Sequence, residues 1–237
     1  MSTNFNLTQF GGSFLSAFQY IPQTLLEAFV AFALALIIGF VLALIRICGP
    51  SILNDFILVV FSVIKSIPVY LLFISAGMIY VLAVGNMTAG NGMNSSSQNL
   101  STRGVVSLVL TIAYLPAMSE ALRGALRAVP LEQYEAAESV GLTYAQTLRR
   151  LVVPQMVPEA VPAITNILLT LVKDSSLGFL IGAVDILNAA LSSAARSYSL
   201  LEAYVAAALV YWGICSILEY AMHFLQKSFG KFKVHAV

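Results

Sequence analysis

Lys173 and Asp174, followed at once by Ser175 and Ser176, bring an ammonium, a carboxylate and two hydroxyls together in four consecutive positions. The surrounding stretch, from Ala160 to Val184, is otherwise uncharged. Donors and acceptors placed in this way suit the holding of a small charged group rather than the making of bonds. Adjacent residues on a helix point about 100° apart, so Lys173 and Asp174 do not neutralise each other and each needs a partner of its own. Two roles stay open on the residues alone: structural charges paired to another helix or subunit, or contact with a ligand in a polar cavity.

The other reactive side chains do not assemble into a recognisable centre. His223 and His235 stand near the C-terminus, away from any catalytic constellation, and no H-E-x-x-H or paired-aspartate motif occurs. Cys48 and Cys215 are far apart and form no C-x-x-C, which excludes a zinc site or a disulfide framework and leaves them as small apolar fillers. A G-x-x-x-x-G-K-[ST] phosphate loop is also missing from the sequence, so any ATP chemistry would have to come from elsewhere. With twelve Lys and Arg against eleven Asp and Glu, the chain offers no basic field for nucleic acid.

Composition identifies what must position these residues. The chain is 59% hydrophobic and 10% charged, with a mean hydropathy of +0.88, which leaves too little polar surface to face water all round. It reads as a membrane protein. Uncharged windows near the length needed to cross a bilayer predict five helical spans, at about 20–46, 56–84, 104–122, 157–181 and 200–226. Pro68 is expected to break or kink the second, and the Lys173–Asp174 pair interrupts the fourth. Glu27, Glu202 and Glu219 fall near span ends and read as interfacial or capping carboxylates. The Gly/Asn/Ser-rich segment 85–103 reads as a polar loop, and its Asn-x-Ser/Thr triplets at Asn86, Asn94 and Asn99 as chance products of that composition.

Nine of the twelve Lys and Arg fall on one side of this arrangement: Arg46, Lys65, Arg123, Arg127, Arg149, Arg150, Lys227, Lys231 and Lys233. The excess of positive charge predicts an N-terminus outside and a C-terminus in the cytoplasm. Residues 1–19 carry no Lys or Arg and no signal-peptide pattern; Phe5, Phe10, Phe14, Leu15 and Phe18 instead suggest an amphipathic segment on the outer surface. Residues 227–237 form a basic cytoplasmic tail. With Lys173 near the middle to outer part of the membrane, its second role becomes contact with a substrate in a translocation cavity.

The inner loop, 124–156, is written as a helical hairpin. After Pro130, Leu131 to Val140 is rich in good helix formers, and Gly141 supplies a left-handed stop. Thr143 and Gln146 then match a capping box, which opens a second helix expected to run to Pro154. A hairpin this short buries no core of its own. It either lies on lipid through Leu131, Tyr134, Val140, Leu148 and Leu151, or uses the small residues Ala136, Ala137 and Gly141 to admit a partner protein.

The run Glu135-Ala136-Ala137 to Gly141, followed by Val152-Val153-Pro154, closely resembles the EAA loop of permease subunits of bacterial ABC importers. Glu120-x-x-Arg123-Gly124, Val129-Pro130, Pro154-Gln155, Thr165-Asn166 and Leu171-x-Lys173-Asp174-Ser175-Ser176-Leu177 resemble the polar amino-acid branch in particular. Lys65-Ser66-Ile67-Pro68 looks like that branch's Arg-Gly-Thr-Pro element, with Lys and Ser where Arg and Gly are more usual. The likeness covers about residues 20–225.

This resemblance implies an all-α integral membrane protein of the type I importer fold in the bacterial inner membrane, a transporter subunit and not an enzyme. It implies coupling through Glu135, Ala136, Ala137, Gly141 and Leu142 to a cytoplasmic ABC ATPase dimer that binds ATP and Mg, the chain itself carrying no cofactor. A second permease chain, the same or homologous, and an extracytoplasmic solute-binding protein complete the expected assembly in lipid. Lys173, Asp174, Ser175 and Ser176 are the expected pathway residues for a polar amino acid, while Pro68, Pro130 and Pro154 shape the kink and the hairpin. Five spans without an evident internal repeat argue against an ion-coupled carrier built of two halves.

Overall fold

Eighteen residues without a charge, Ala28 to Ile45, lie inside the first long helix, α2 (Ile21–Cys48). The computed structural model describes residues 5–88 and 95–229, and among these the elements are helical throughout. A short helix, α1 (Leu7–Gln19), precedes α2; then come α3 (Ser51–Ser66), α4 (Val69–Thr88), α5 (Ser95–Arg127), α6 (Leu131–Ser139) and α7 (Tyr144–Thr147). A π turn (Leu148–Val152) leads into α8 (Val153–Asp174), a 3-10 turn (Ser175–Ile181) follows, and α9 (Ile186–Ala194) and α10 (Leu200–Phe229) complete the order. Among the described residues, four helices are long and apolar enough to cross a bilayer, and the bent α3–α4 pair makes a fifth crossing if counted as one.

The bend falls where Pro68 predicts it. Proline disfavours helical backbone in the residue before it, and Ile67 is extended at φ −93° and ψ 122°. α3 and the Val69–Leu82 part of α4 are consequently bent by 92°.

α2 and α5 form the most closely packed pair. Ala31, Ala35, Gly39 and Ala43 recur every four residues on one face of α2, and all are buried. A Cβ on Gly39 would lie 3.0 Å from Met118 Cγ and 3.2 Å from the Ser119 backbone nitrogen, so the missing side chain sets the helix separation. Thr111 and Ser107 turn their hydroxyls to main-chain carbonyls, Ser107 to Glu27 on α2 at 3.2 Å and Thr111 to Ser107 at 2.7 Å.

Several expectations change. The segment 85–103 is not loop throughout: α4 continues to Thr88 and α5 starts at Ser95, because serines favour the first turn and the apolar span beyond propagates the helix backwards. Its centre, 89–94 with Asn94, lies outside the described residues, as do Lys231, Lys233 and His235 of the basic tail. α1 is not merely a surface segment: Ser13 and Ala17 are buried against α9 and α10, and Ser193 donates to Ser13 Oγ at 2.9 Å. Asn6 caps α1 with its side chain, and its own N–H donates to Glu202 Oε1 at 2.9 Å.

Glu27 is also corrected. It is only 3% exposed, packed between helices rather than at an interface, with Arg103 of α5 at 3.6 Å. Cys48 is exposed and hydrogen-bonded to Tyr144, so it does not fill apolar space; Cys215 is half-buried.

The second hairpin helix does not end at Pro154. One helical run extends from Tyr144 to Ile181. A proline inside a helix leaves the carbonyl four residues back without a donor, and the π turn at Leu148–Val152 shifts the hydrogen-bond register just ahead of it. Pro154 then occupies the first turn of α8, where it needs no N–H partner.

Candidate functional site

The hairpin is built by local chemistry before anything packs on it. Pro130 is extended and lets α6 begin at Leu131, with Glu132 in the favourable first turn. Gly141 has φ +79°, a backbone that glycine adopts without penalty. Its N–H donates to the Glu138 carbonyl at 2.9 Å and that of Leu142 to the Ala137 carbonyl at 3.1 Å, the paired bonds of a Schellman stop. Thr143 N–H then donates to Gln146 Oε1 at 2.9 Å while Gln146 N–H donates to Thr143 Oγ1 at 3.4 Å, completing the capping box.

The chain itself anchors this hairpin. Val129 and Val152 are buried in one apolar cluster with Ala43, Met118 and Leu126, against which Tyr134 and Leu148 pack. Tyr144 OH and Cys48 Sγ, 2.9 Å apart, link the start of α7 to the C-terminal end of α2. Burial pushes the Tyr134 phenol above its ordinary value, and the nearby Cys48 adds to the effect, so this ring keeps its proton. A cavity of about 530 Å³ lies at the hairpin base between Cys48, Leu126, Pro130, Tyr134 and Tyr144. Of the residues expected to face a partner, Glu135, Ala136 and Gly141 are exposed, Leu142 is half-buried, and Ala137 turns into the chain at 2% exposure.

Charge gathers at the same end of the bundle. Arg46 lies within the fields of Arg123, Arg127 and Glu120, stacks over the Phe61 ring at 5.4 Å and donates to Asn54 Oδ1 at 3.3 Å. Lys65, just before the bend, pairs with Glu120 of α5 at 2.7 Å, a bond between two side chains that both remain partly exposed.

Lys173, Asp174, Ser175 and Ser176 are not brought together. Asp174 accepts a hydrogen bond from Tyr114 OH of α5. Ser175 is wholly buried and donates to the Val172 carbonyl at 2.7 Å. Ser176 is half-buried, and Lys173 is exposed on the helix surface.

Lys173 instead belongs to a stripe along α8. Glu159, Asn166, Thr170 and Lys173 follow at intervals of seven, four and three residues, which places them within about 60° of one another on a helical wheel. Glu159, Asn166 and Lys173 are exposed, Thr170 is half-buried, and the gap between Glu159 and Asn166 on the same side is filled by exposed Pro162 and Ala163. The opposite side of α8, about 150° round, carries Val153, Val157, Ala160, Ile164 and Leu168. Sequence reasoning passed over Asn166 and Thr170 as site residues. The signal was their spacing of seven and three residues from Lys173, both on one helix face; an isolated Asn or Thr carries none.

A second polar group sits deeper. Asp185 caps α9 by accepting from Asn188 N–H at 2.7 Å, and Tyr211 OH of α10 donates to its other oxygen at 3.3 Å. Thr24 Oγ1 accepts the Ile186 N–H at 3.2 Å. This group ties α2, α9 and α10 together.

Residues 35–231 match the family described as binding-protein-dependent transport system inner membrane component. The chain is 30% identical over 221 residues to the probable amino-acid ABC transporter permease protein YckA of Bacillus subtilis, covering 93% of this chain and 92% of that one. It is 27% identical over 231 residues to the L-cystine transport system permease protein TcyL of the same organism, covering 98% and 94%. Among solved structures, the crystal structure of an amino acid ABC transporter with histidines superposes with a TM-score of 0.73 at 20% identity, covering 96% of this chain and all of that chain.

Proposed function

Because the chain belongs to the family of binding-protein-dependent transport system inner membrane components, as a permease and not an enzyme, we propose that it carries a polar amino acid or close derivative into the cytoplasm by alternating access. The observation that carries this reading is the exposed polar stripe of α8. Side chains such as Asn166 and Lys173 are costly against lipid, so at membrane depth they face either another protein surface or a polar passage. Lys173 supplies a cation for a substrate carboxylate, and Asn166 and Thr170 supply further polar contacts along the same line. Asp174, held by Tyr114, fixes the end of α8 against α5 and keeps Lys173 on the stripe.

The single chain leaves that stripe open on one side. A second permease, identical or homologous, closes the passage. The hairpin is the contact to an ABC ATPase pair, which binds ATP and Mg; Glu135, Ala136, Gly141 and Leu142 meet the partner, and Ala137 braces α6 from within. ATP-driven closure of the ATPases moves the two hairpins together and rotates the attached helices. An extracytoplasmic solute-binding protein delivers the substrate to the N-terminal side, and the positive-inside count orients the hairpin to the cytoplasm.

Cysteine accessibility in the reconstituted transporter tests this. Asn166→Cys and Thr170→Cys should react with a membrane-impermeant maleimide and be protected by transported substrate, while Ile164→Cys, on the opposite face, stays unreactive. Lys173→Met should lower uptake while the chain still inserts. Equal labelling on both faces, or undiminished uptake by Lys173→Met, overturns the assignment.

A further inference from the structure

A groove of about 540 Å³ runs along the apolar side of α8, and the residues that line it are all apolar. Phe32, Leu36 and Phe40 of α2 form one wall, Val157 and Ile164 of α8 the floor, and Leu225 of α10 closes one end. Water does not settle there, because it would find no hydrogen-bond partner. An empty groove would forfeit dispersion contacts along its whole lining. In a membrane chain the abundant apolar filler is lipid.

Shape and charge narrow the occupant further. The α8 lining runs from Val153 to Leu168, about 22 Å of helix, so the volume corresponds to a channel of about 25 Å² in section, wide enough for one extended hydrocarbon chain. At the Val153 end, Arg149 and Arg150 stand one turn away and exposed. Two cations at one mouth of a dry groove are complementary to an anionic headgroup whose acyl chain lies inside.

We propose that this groove is a binding site for one acyl chain of an anionic phospholipid, with Arg149 and Arg150 receiving its phosphate. The site does not rest on the transport reading, since it lies on the face of α8 opposite the polar stripe.

The test is lipid retention by the full chain, purified with its partner subunits and exchanged into detergent, measured by native mass spectrometry after incubation with palmitoyl-oleoyl phosphatidylglycerol or phosphatidylethanolamine. Wild type should hold phosphatidylglycerol in preference, and Val157→Trp or Ile164→Trp, which fill the groove, should reduce it by about tenfold. Ile79→Trp, on the exposed face of α4, should leave retention unchanged. Neutralising Arg149 and Arg150 to Gln should abolish the headgroup preference while keeping the chain-filling effect. A photoreactive acyl phosphatidylglycerol should label groove peptides of wild type, which keeps the test valid if a tryptophan variant fails to fold. Equal retention in both tryptophan variants, absence of groove labelling, or chain-to-chain cross-linking through Ile37→Cys, which would put a second protein over the groove, overturns the proposal.

Discussion

Gly141 offers the sharpest perturbation, because its surroundings reduce the question to one variable. A Cβ added there would meet nothing within 4 Å, so sterics against neighbours play no part and only the backbone at φ +79° matters. An L-residue held in that region costs about 1–2 kcal/mol, a β-branched one more, whereas Asn visits it with little penalty. About 1–2 kcal/mol corresponds to a 5- to 30-fold fall in the ratio of correctly turned to misturned hairpins. Activity should therefore rank Gly and Asn above Ala, and Ala above Val, in binding-protein-stimulated ATPase and in uptake by the reconstituted complex. Chain abundance in the membrane should stay constant, since the strain lies in an exposed turn outside the apolar clusters. Gly213, a helical position where a Cβ also meets nothing within 4 Å and φ is ordinary, is the control: Gly213→Ala should behave as wild type. A Gly141→Val complex with normal stimulated ATPase, or a Gly141→Asn complex as impaired as Gly141→Val, would refute the reasoning.

Two further substitutions probe the helices that carry the hairpin and the stripe. Gly39→Leu should force α2 away from Met118 and the unyielding Ser119 backbone, destabilising the chain by about 1–3 kcal/mol; thermal unfolding in detergent checks this, and an unchanged midpoint would mean that the small-residue face does not set the packing. Tyr114→Phe removes the donor to Asp174 and leaves a partly buried carboxylate without it, at a cost of about 1–3 kcal/mol. Adding Asp174→Leu should recover part of that loss, and strictly additive losses in the double variant would show that the two side chains act independently.

Long helices were legible because the bilayer makes composition decisive: an uncharged run such as Ala28–Ile45 has no other stable state at that depth. The hairpin turn was legible for a different reason. Gly141, Thr143 and Gln146 each act within a few residues of themselves, so their bonds do not depend on the rest of the fold. What escaped the sequence depends on distant partners. Ser13 and Ala17 bury α1 only because α9 and α10 return beside it, and Glu27 is enclosed only once α5 brings Arg103 across. The passage of the helix through Pro154 relies on a π turn for which no residue type is diagnostic. Asp174 and Lys173 read as one group because they are neighbours in sequence, whereas Tyr114, sixty positions away, separates their roles.

That uninterrupted helix carries a mechanical implication. From Tyr144 to Ile181 the chain runs 38 residues without a break, so the turn of the hairpin and the polar stripe are two ends of one lever. Thr147 and Lys173 lie about 39 Å apart along it, and a tilt of about 10° around a central fulcrum would displace each end by about 3 Å in opposite directions. The apolar contact with α2 is positioned to be that fulcrum, since Leu36 and Phe40 pack against the cluster that holds Met156 and Ala160, between the two ends. Force applied at the cytoplasmic arm is thereby converted into the opposite stroke at Lys173.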